Sequence, residues 1–130
     1  MKPSRSKLER NALMGLAAGF VLWSSVFIYR SSLVCLDGKR RFCLFDDATI
    51  SMRYAWKLAH ASGLVWNHGE RVEGYTNLLM TLLMSAPARL LDRSSAVLSI
   101  QVLGIAFVLG TAWLGSCVAK AAFPDASEAR

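Results

Sequence analysis

Long stretches of this 130-residue chain carry no charge. Residues 11–29 (NALMGLAAGFVLWSSVFIY) hold no Asp, Glu, Lys or Arg, and neither do residues 94–119. Cysteine and histidine are scarce, three and two respectively, and no Cys/His spacing has the pattern of a zinc site. Acidic residues are few, nine against fifteen basic, for a net charge of +6. The basic residues are dispersed and never form one stripe interleaved with aromatics, which argues against nucleic acid as a partner. Anionic headgroups, or a phosphate on a lipid, account for them more simply. With 54% hydrophobic residues and a mean hydropathy of +0.35, the apolar residues are clustered rather than spread periodically. A soluble core is missing, which excludes a soluble hydrolase built on a carboxylate dyad. An A-x-A-like cleavage site is also lacking after the first apolar run, which is longer than a usual signal h-region. An uncleaved anchor is therefore preferred to a signal peptide.

What is present reads as membrane spans. About 18–20 helical residues cross a hydrocarbon core of roughly 30 Å, so residues 11–29 and 96–119 are predicted to span. Residues 77–91 (NLLMTLLMSAPARLL) are shorter and interrupted by Pro87 and Arg89. They are taken as a second span, with a buried or interfacial helix as the alternative. Arg89 lies near the end, where it can snorkel, and neighbouring helices can satisfy the carbonyl freed by Pro87. The expected fold is an all-α membrane protein with about three transmembrane helices and an extracytoplasmic loop that carries an amphipathic surface helix. Lys2, Arg5, Lys7 and Arg10 favour a cytoplasmic segment 1–10. Residues 30–76 would then lie outside, the 92–95 turn inside and the polar tail 120–130 outside. Against this, the long loop itself carries seven basic residues, including Lys39, Arg40 and Arg41.

Cys35 and Cys43 flank LDGKRRF, in which Asp37-Gly38 is a turn signal. In an oxidising compartment they could pair across that turn; two free thiols are the other reading. Cys117 falls in the last span and is expected to pack there.

The block 45–77, FDDATISMRYAWKLAHASGLVWNHGERVEGYTN, concentrates the ionisable groups. A helix is expected over residues 46–62, with Ile50, Tyr54, Leu58 and Ala61 on one face and Arg53, Lys57 and His60 on another. Gly63 follows where a left-handed C-cap would sit, and the helix is pictured lying flat on the membrane. Asp46 suits the N-cap and Asp47 the positive end of the helix dipole. Capping needs only one carboxylate, however. Two adjacent ones can instead hold a divalent cation, or one can act as general base on a hydroxyl. Arg53 could face a phosphate or simply be solvated. Residues 67–69 are turn chemistry, with His68 exposed there. Trp66 and Tyr75 are candidate interface anchors. Gly74 permits positive φ or a close backbone approach, and Thr76 or Asn77 can cap the next helix. Glu70 and Glu73 add carboxylates to the same outer surface.

This block resembles the first extracytoplasmic loop of the polytopic C-type membrane glycosyltransferases, in the branch with the mycobacterial arabinofuranosyltransferases. That branch reads DDAyIsfRYA, a helix ending in Gly, then GLVyNpGErVEGYTN. The matching residues are Asp46-Asp47-Ala48, Ile50-Ser51, Arg53-Tyr54-Ala55, Gly63-Leu64-Val65, Asn67 and Gly69-Glu70-Arg71-Val72-Glu73-Gly74-Tyr75-Thr76-Asn77, at conserved spacing. Thr49, Met52 and His68 depart from the pattern's aromatic, Phe and Pro.

The resemblance implies transfer of a sugar from a polyprenyl-phosphate donor to a glycan, lipid or protein hydroxyl at the bacterial inner membrane. Asp46 and Asp47 would be the catalytic pair, with a divalent metal as an optional cofactor on the same two carboxylates. Arg53 would meet donor phosphate, and Glu70, Glu73, Tyr75 and Asn77 would shape the pocket. It also implies the outer placement of the loop. The likeness covers about a third of the chain, from Phe45 to about Ser85. The chain is therefore expected to be the N-terminal portion of such an enzyme, inactive alone and partnered by the remaining spans and by membrane lipid. The alternative is a small three-span protein that assembles with a larger membrane complex.

Overall fold

The computed structural model describes residues 5–67, 69 and 72–123. Among them the order is α1 (Arg5–Ser31), β1 (Leu33–Val34), β2 (Arg40–Arg41), α2 (Asp47–Ala59), α3 (Leu78–Leu90) and α4 (Arg93–Ala122). The chain is predominantly helical, as its composition predicts. Two helices, α1 and α4, are long and apolar enough to cross a membrane. Along them Leu16, Leu22, Trp23 and Phe27, and then Phe107, Trp113, Leu114 and Val118, are exposed. A helix that is hydrophobic all round needs either protein or lipid to cover it. At 13 residues, α3 is only about 20 Å long, short of a hydrocarbon core of about 30 Å.

The chain divides into two compact units. One comprises α1 up to Phe27 with α4 from Val102 onward, and the other is Ile28–Gln101. Within the first unit, Trp23 and Phe27 stack one turn apart at 5.9 Å.

The unit Ile28–Gln101 holds the core. The buried positions of α3 are Thr81, Met84 and Ala88, a single stripe at helical spacing. That stripe meets Met52 and Ala55 of α2 and Ala96 and Ile100 of α4. The alanines at 55, 88 and 96 let the backbones approach. Met52, Met84 and Ile100 fill the remaining space, each worth about 1.5–3 kcal/mol on full burial. The apolar side of α2 is thus covered by α3 and the start of α4. Its buried residues, Ser51, Met52, Tyr54 and Ala55, share only Tyr54 with the face expected from the sequence.

The 92–95 turn packs against the long loop, and the end of α2 differs from expectation. Phe42 N–H donates to Ser94 Oγ at 3.0 Å, the Arg93 guanidinium lies 5.0 Å from the Trp56 ring centroid, and Arg89 donates to the Ala59 carbonyl at 3.3 Å. Gln101, two turns into α4, donates to the Cys43 carbonyl at 3.0 Å. The left-handed residue that ends α2 is Ala61 (φ 60), not Gly63. Ser62 N–H reaches the Lys57 carbonyl and Ala61 N–H the Leu58 carbonyl, the Schellman pattern. Gly63 has its own positive φ of 79 further on.

Cys35 and Cys43 are free thiols. The antiparallel register pairs Leu33 with Arg41 and Val34 with Arg40. Continued, it puts Lys39 opposite Cys35 and leaves Cys43 four residues further along the chain, beyond β2. The turn at Asp37-Gly38 forms as expected: Gly38 takes φ 74, and its N–H donates to the Cys35 carbonyl at 2.9 Å. Cys117 is exposed on α4.

Candidate functional site

The acidic pair stands at the head of α2. Asp46 occupies the N-cap position with φ 54 and ψ −135, and its side chain makes no capping hydrogen bond. The expected carboxylate cap is therefore absent. A non-glycine residue with this backbone is strained by about 1–3 kcal/mol and must be held by its surroundings. Thr49 does part of the holding. Its hydroxyl donates to the Leu44 carbonyl at 2.9 Å, and its N–H donates to the Asp46 carbonyl at 2.9 Å. Asp47 lies in the first turn of the helix, where a negative charge suits the dipole. Both carboxylates are exposed.

Nearly two turns along α2, Arg53 donates to Asn67 Oδ1 at 2.9 Å and lies 3.9 Å over the Trp66 ring. The next residue, Tyr54, is 1% exposed and gathers the rest of the block. Its hydroxyl donates to the Val72 carbonyl at 2.6 Å. Its ring meets Trp66 at 5.7 Å and Tyr75 edge-on at 5.0 Å. Trp66 and Tyr75, expected as interface anchors, pack on this tyrosine instead. Gly74 is explained by close approach rather than by positive φ: a Cβ there would lie 2.9 Å from the Tyr54 hydroxyl.

The other candidates separate. Glu73 and Tyr75 line a pocket of about 410 Å³ together with Gly63 and Val65. Asn77 is an N-cap whose Oδ1 accepts from Met80 N–H at 3.0 Å. Glu70 and His68 lie outside the described residues. Arg53 lines a second cleft, of about 470 Å³, with Thr49, Trp56, Lys57 and Arg93. Neither Asp46 nor Asp47 lines either one. Among the described residues no group of three or more His, Cys, Asp or Glu could hold a metal ion. Among the described residues the Asp pair offers two carboxylates with no third ligand, a poor fit for a resident cation.

Sequence reasoning placed Lys57 on the face of Arg53, one helical turn away, but missed Trp56 and Arg93 as residues lining the same cleft. The approach of Arg93 was not legible, because forty residues of chain separate it from Arg53. Comparison with family models, characterised proteins and solved structures finds no match.

Proposed function

We propose that this chain supplies the acidic pair of a membrane glycosyltransferase that moves a sugar from a polyprenyl-phosphate donor to a hydroxyl of a glycan, lipid or protein. One observation carries the reading. Asp46 is held in strained backbone at an exposed helix head while its carboxylate does no structural work there. Strain of this kind persists where surroundings over-determine it and is concentrated at functional sites. In the proposed step, Asp46 or Asp47 takes the proton of the acceptor hydroxyl as its oxygen bonds to the anomeric carbon. The bond from that carbon to the phosphate oxygen breaks, and the phosphate leaves as an anion that needs no acid. Orientation of the acceptor and stabilisation of the leaving charge supply most of the rate. The packing of Tyr54, Trp66, Gly74 and Tyr75 supports the reading by making one body of the motif that carries the resemblance.

The contacts of Phe42 with Ser94, Cys43 with Gln101 and Ala59 with Arg89 support a membrane arrangement with two crossings. Groups in hydrogen-bond contact cannot have a bilayer between them, so residues 30–76 and the 92–95 turn share one face. With α1 and α4 as the two crossings, α3 lies at that face rather than forming a third. The basic residues before α1 and the resemblance put this face outside the cytoplasm. Since neither carboxylate lines an enclosed cleft, the purified 130-residue chain is expected to be inactive by itself.

The test is allelic replacement in the native host with Asp46→Asn or Asp47→Asn, protein level being checked by immunoblot. At least one variant should accumulate polyprenyl-phosphate sugar, read by mass spectrometry of the lipid extract. Unchanged donor pools in both would overturn the assignment.

A further inference from the structure

Three cations converge on the cleft of about 470 Å³ between α2 and the start of α4: Arg53, Lys57 and Arg93. Among the described residues none of them is ion-paired. Arg53 and Lys57 are like charges at i and i+4, an arrangement that disfavours a helix. Arg93 is the first residue of α4, where a cation faces the positive end of the dipole. The nearest carboxylate in sequence, Asp92, is occupied with the amides of Ser94 and Ser95 at 3.0 and 3.3 Å. The aromatic faces that soften these charges are Trp66 under Arg53 and Trp56 under Arg93. They orient the guanidinium groups without neutralising them. The uncompensated charge calls for an anion.

The rest of the lining says what kind. Leu44, Met52, Trp56 and Val97 give the cleft an apolar wall, and Thr49 adds a hydroxyl. Val97 is one turn into α4, at the entrance to a helix long and apolar enough to cross a membrane. A ligand with its charge on the three cations and its carbon chain on this wall is an amphiphile. The volume suits a headgroup with its first carbons.

We propose that this cleft seats the phosphate of an anionic membrane lipid, with the guanidinium and ammonium groups on the phosphate oxygens and the glycerol and first methylenes against Trp56 and Val97. The seat does not depend on the glycosyl-transfer reading, and its test needs no sugar donor.

The experiment is native mass spectrometry of the full chain released from detergent, after incubation with phosphatidylglycerol, phosphatidylcholine or excess inorganic phosphate. Phosphatidylglycerol should be retained one per chain. Phosphatidylcholine, whose choline opposes the cations, should be retained several-fold less, and inorganic phosphate should fail to displace the lipid. Lys57→Gln and Arg93→Gln should each weaken retention about fivefold, the effect of one cation near a lipid phosphate. Lys39→Gln, at a residue that does not line the cleft, should leave it unchanged. Circular dichroism checks that each variant keeps its helices, and Lys57→Gln, whose side chain has no hydrogen bond or ion pair to lose among the described residues, decides the matter if Arg93→Gln unfolds. Equal retention of the two lipids, displacement by inorganic phosphate, or indifference to Lys57→Gln would each overturn the proposal.

Discussion

Tyr54 and Gly74 form a matched pair. The hydroxyl of Tyr54 needs the Val72 carbonyl, and only a glycine at 74 leaves room for that hydroxyl. Gly74→Ala should cost about 1–3 kcal/mol by overpacking, read as a fall in thermal unfolding temperature in detergent. Tyr54→Phe should cost about 1 kcal/mol for the lost hydrogen bond. Because Tyr54→Phe also removes the clashing atom, the two costs should sum to more than the double variant shows. Strict additivity would mean that the close approach is not what selects glycine. At Asp46 the backbone and the carboxylate can be separated. Asp46→Gly should gain about 1 kcal/mol by relieving strain, while Asp46→Asn keeps the strain and loses the charge. If Asp46→Gly is destabilising, the positive φ is not a feature of the folded protein.

At the scale of elements, the ends of the helices explain much of the polar sequence. Arg40 closes the C-terminus of α1. It donates to the Tyr29 carbonyl at 3.1 Å and to Ser32 Oγ at 2.6 Å, and lies 4.0 Å over the Tyr29 ring. A basic group there also meets the negative end of the dipole. Two cations of Lys39-Arg40-Arg41, a run that on charge alone argues against an outer loop, therefore have structural roles, Arg41 being paired to Asp37 at 3.3 Å. The left-handed end of α2 is occupied by Ala61, so Ala61→Gly should stabilise by about 1 kcal/mol, measured by the same thermal unfolding. At the start of α4 the Ser95 hydroxyl, and then the Ser95 and Ser94 amides, hold the Asp92 carboxylate below the usual aspartate range. A depressed folded pKa contributes stability that is present above the unfolded aspartate value and is lost as pH falls through the folded one. The Asp92 carboxyl resonance should therefore titrate at lower pH than in Ser95→Ala. Identical titration in the two proteins would remove the Ser95 hydroxyl as a cause of the depression.

For the whole molecule, the decisive contacts join residues far apart in sequence: Phe42 to Ser94, Cys43 to Gln101, Ala59 to Arg89. They predict that cysteines placed at 46 and 94, in a chain otherwise free of cysteine, react with a membrane-impermeant thiol reagent from the same side. A cysteine at 120 should react only from the other side. Labelling of 46 and 94 from opposite sides would restore α3 as a crossing.

The sequence determined by itself the two long apolar helices, the turn at Asp37-Gly38, a helix starting at the Asp pair and a cap at Thr76 or Asn77, because each depends on neighbours within a few residues. It could not determine the role of Gly74, the covering of α2 by α3, or the meeting of Arg93 with Arg53 and Lys57. Those depend on which distant surfaces come into contact. In the 15-residue apolar run, Thr81, Met84 and Ala88 are buried against another helix while Leu79, Leu82, Leu83 and Leu90 stay exposed, a division that the sequence does not show. Hydropathy records how much apolar surface a segment has, and only packing decides whether protein or lipid covers it.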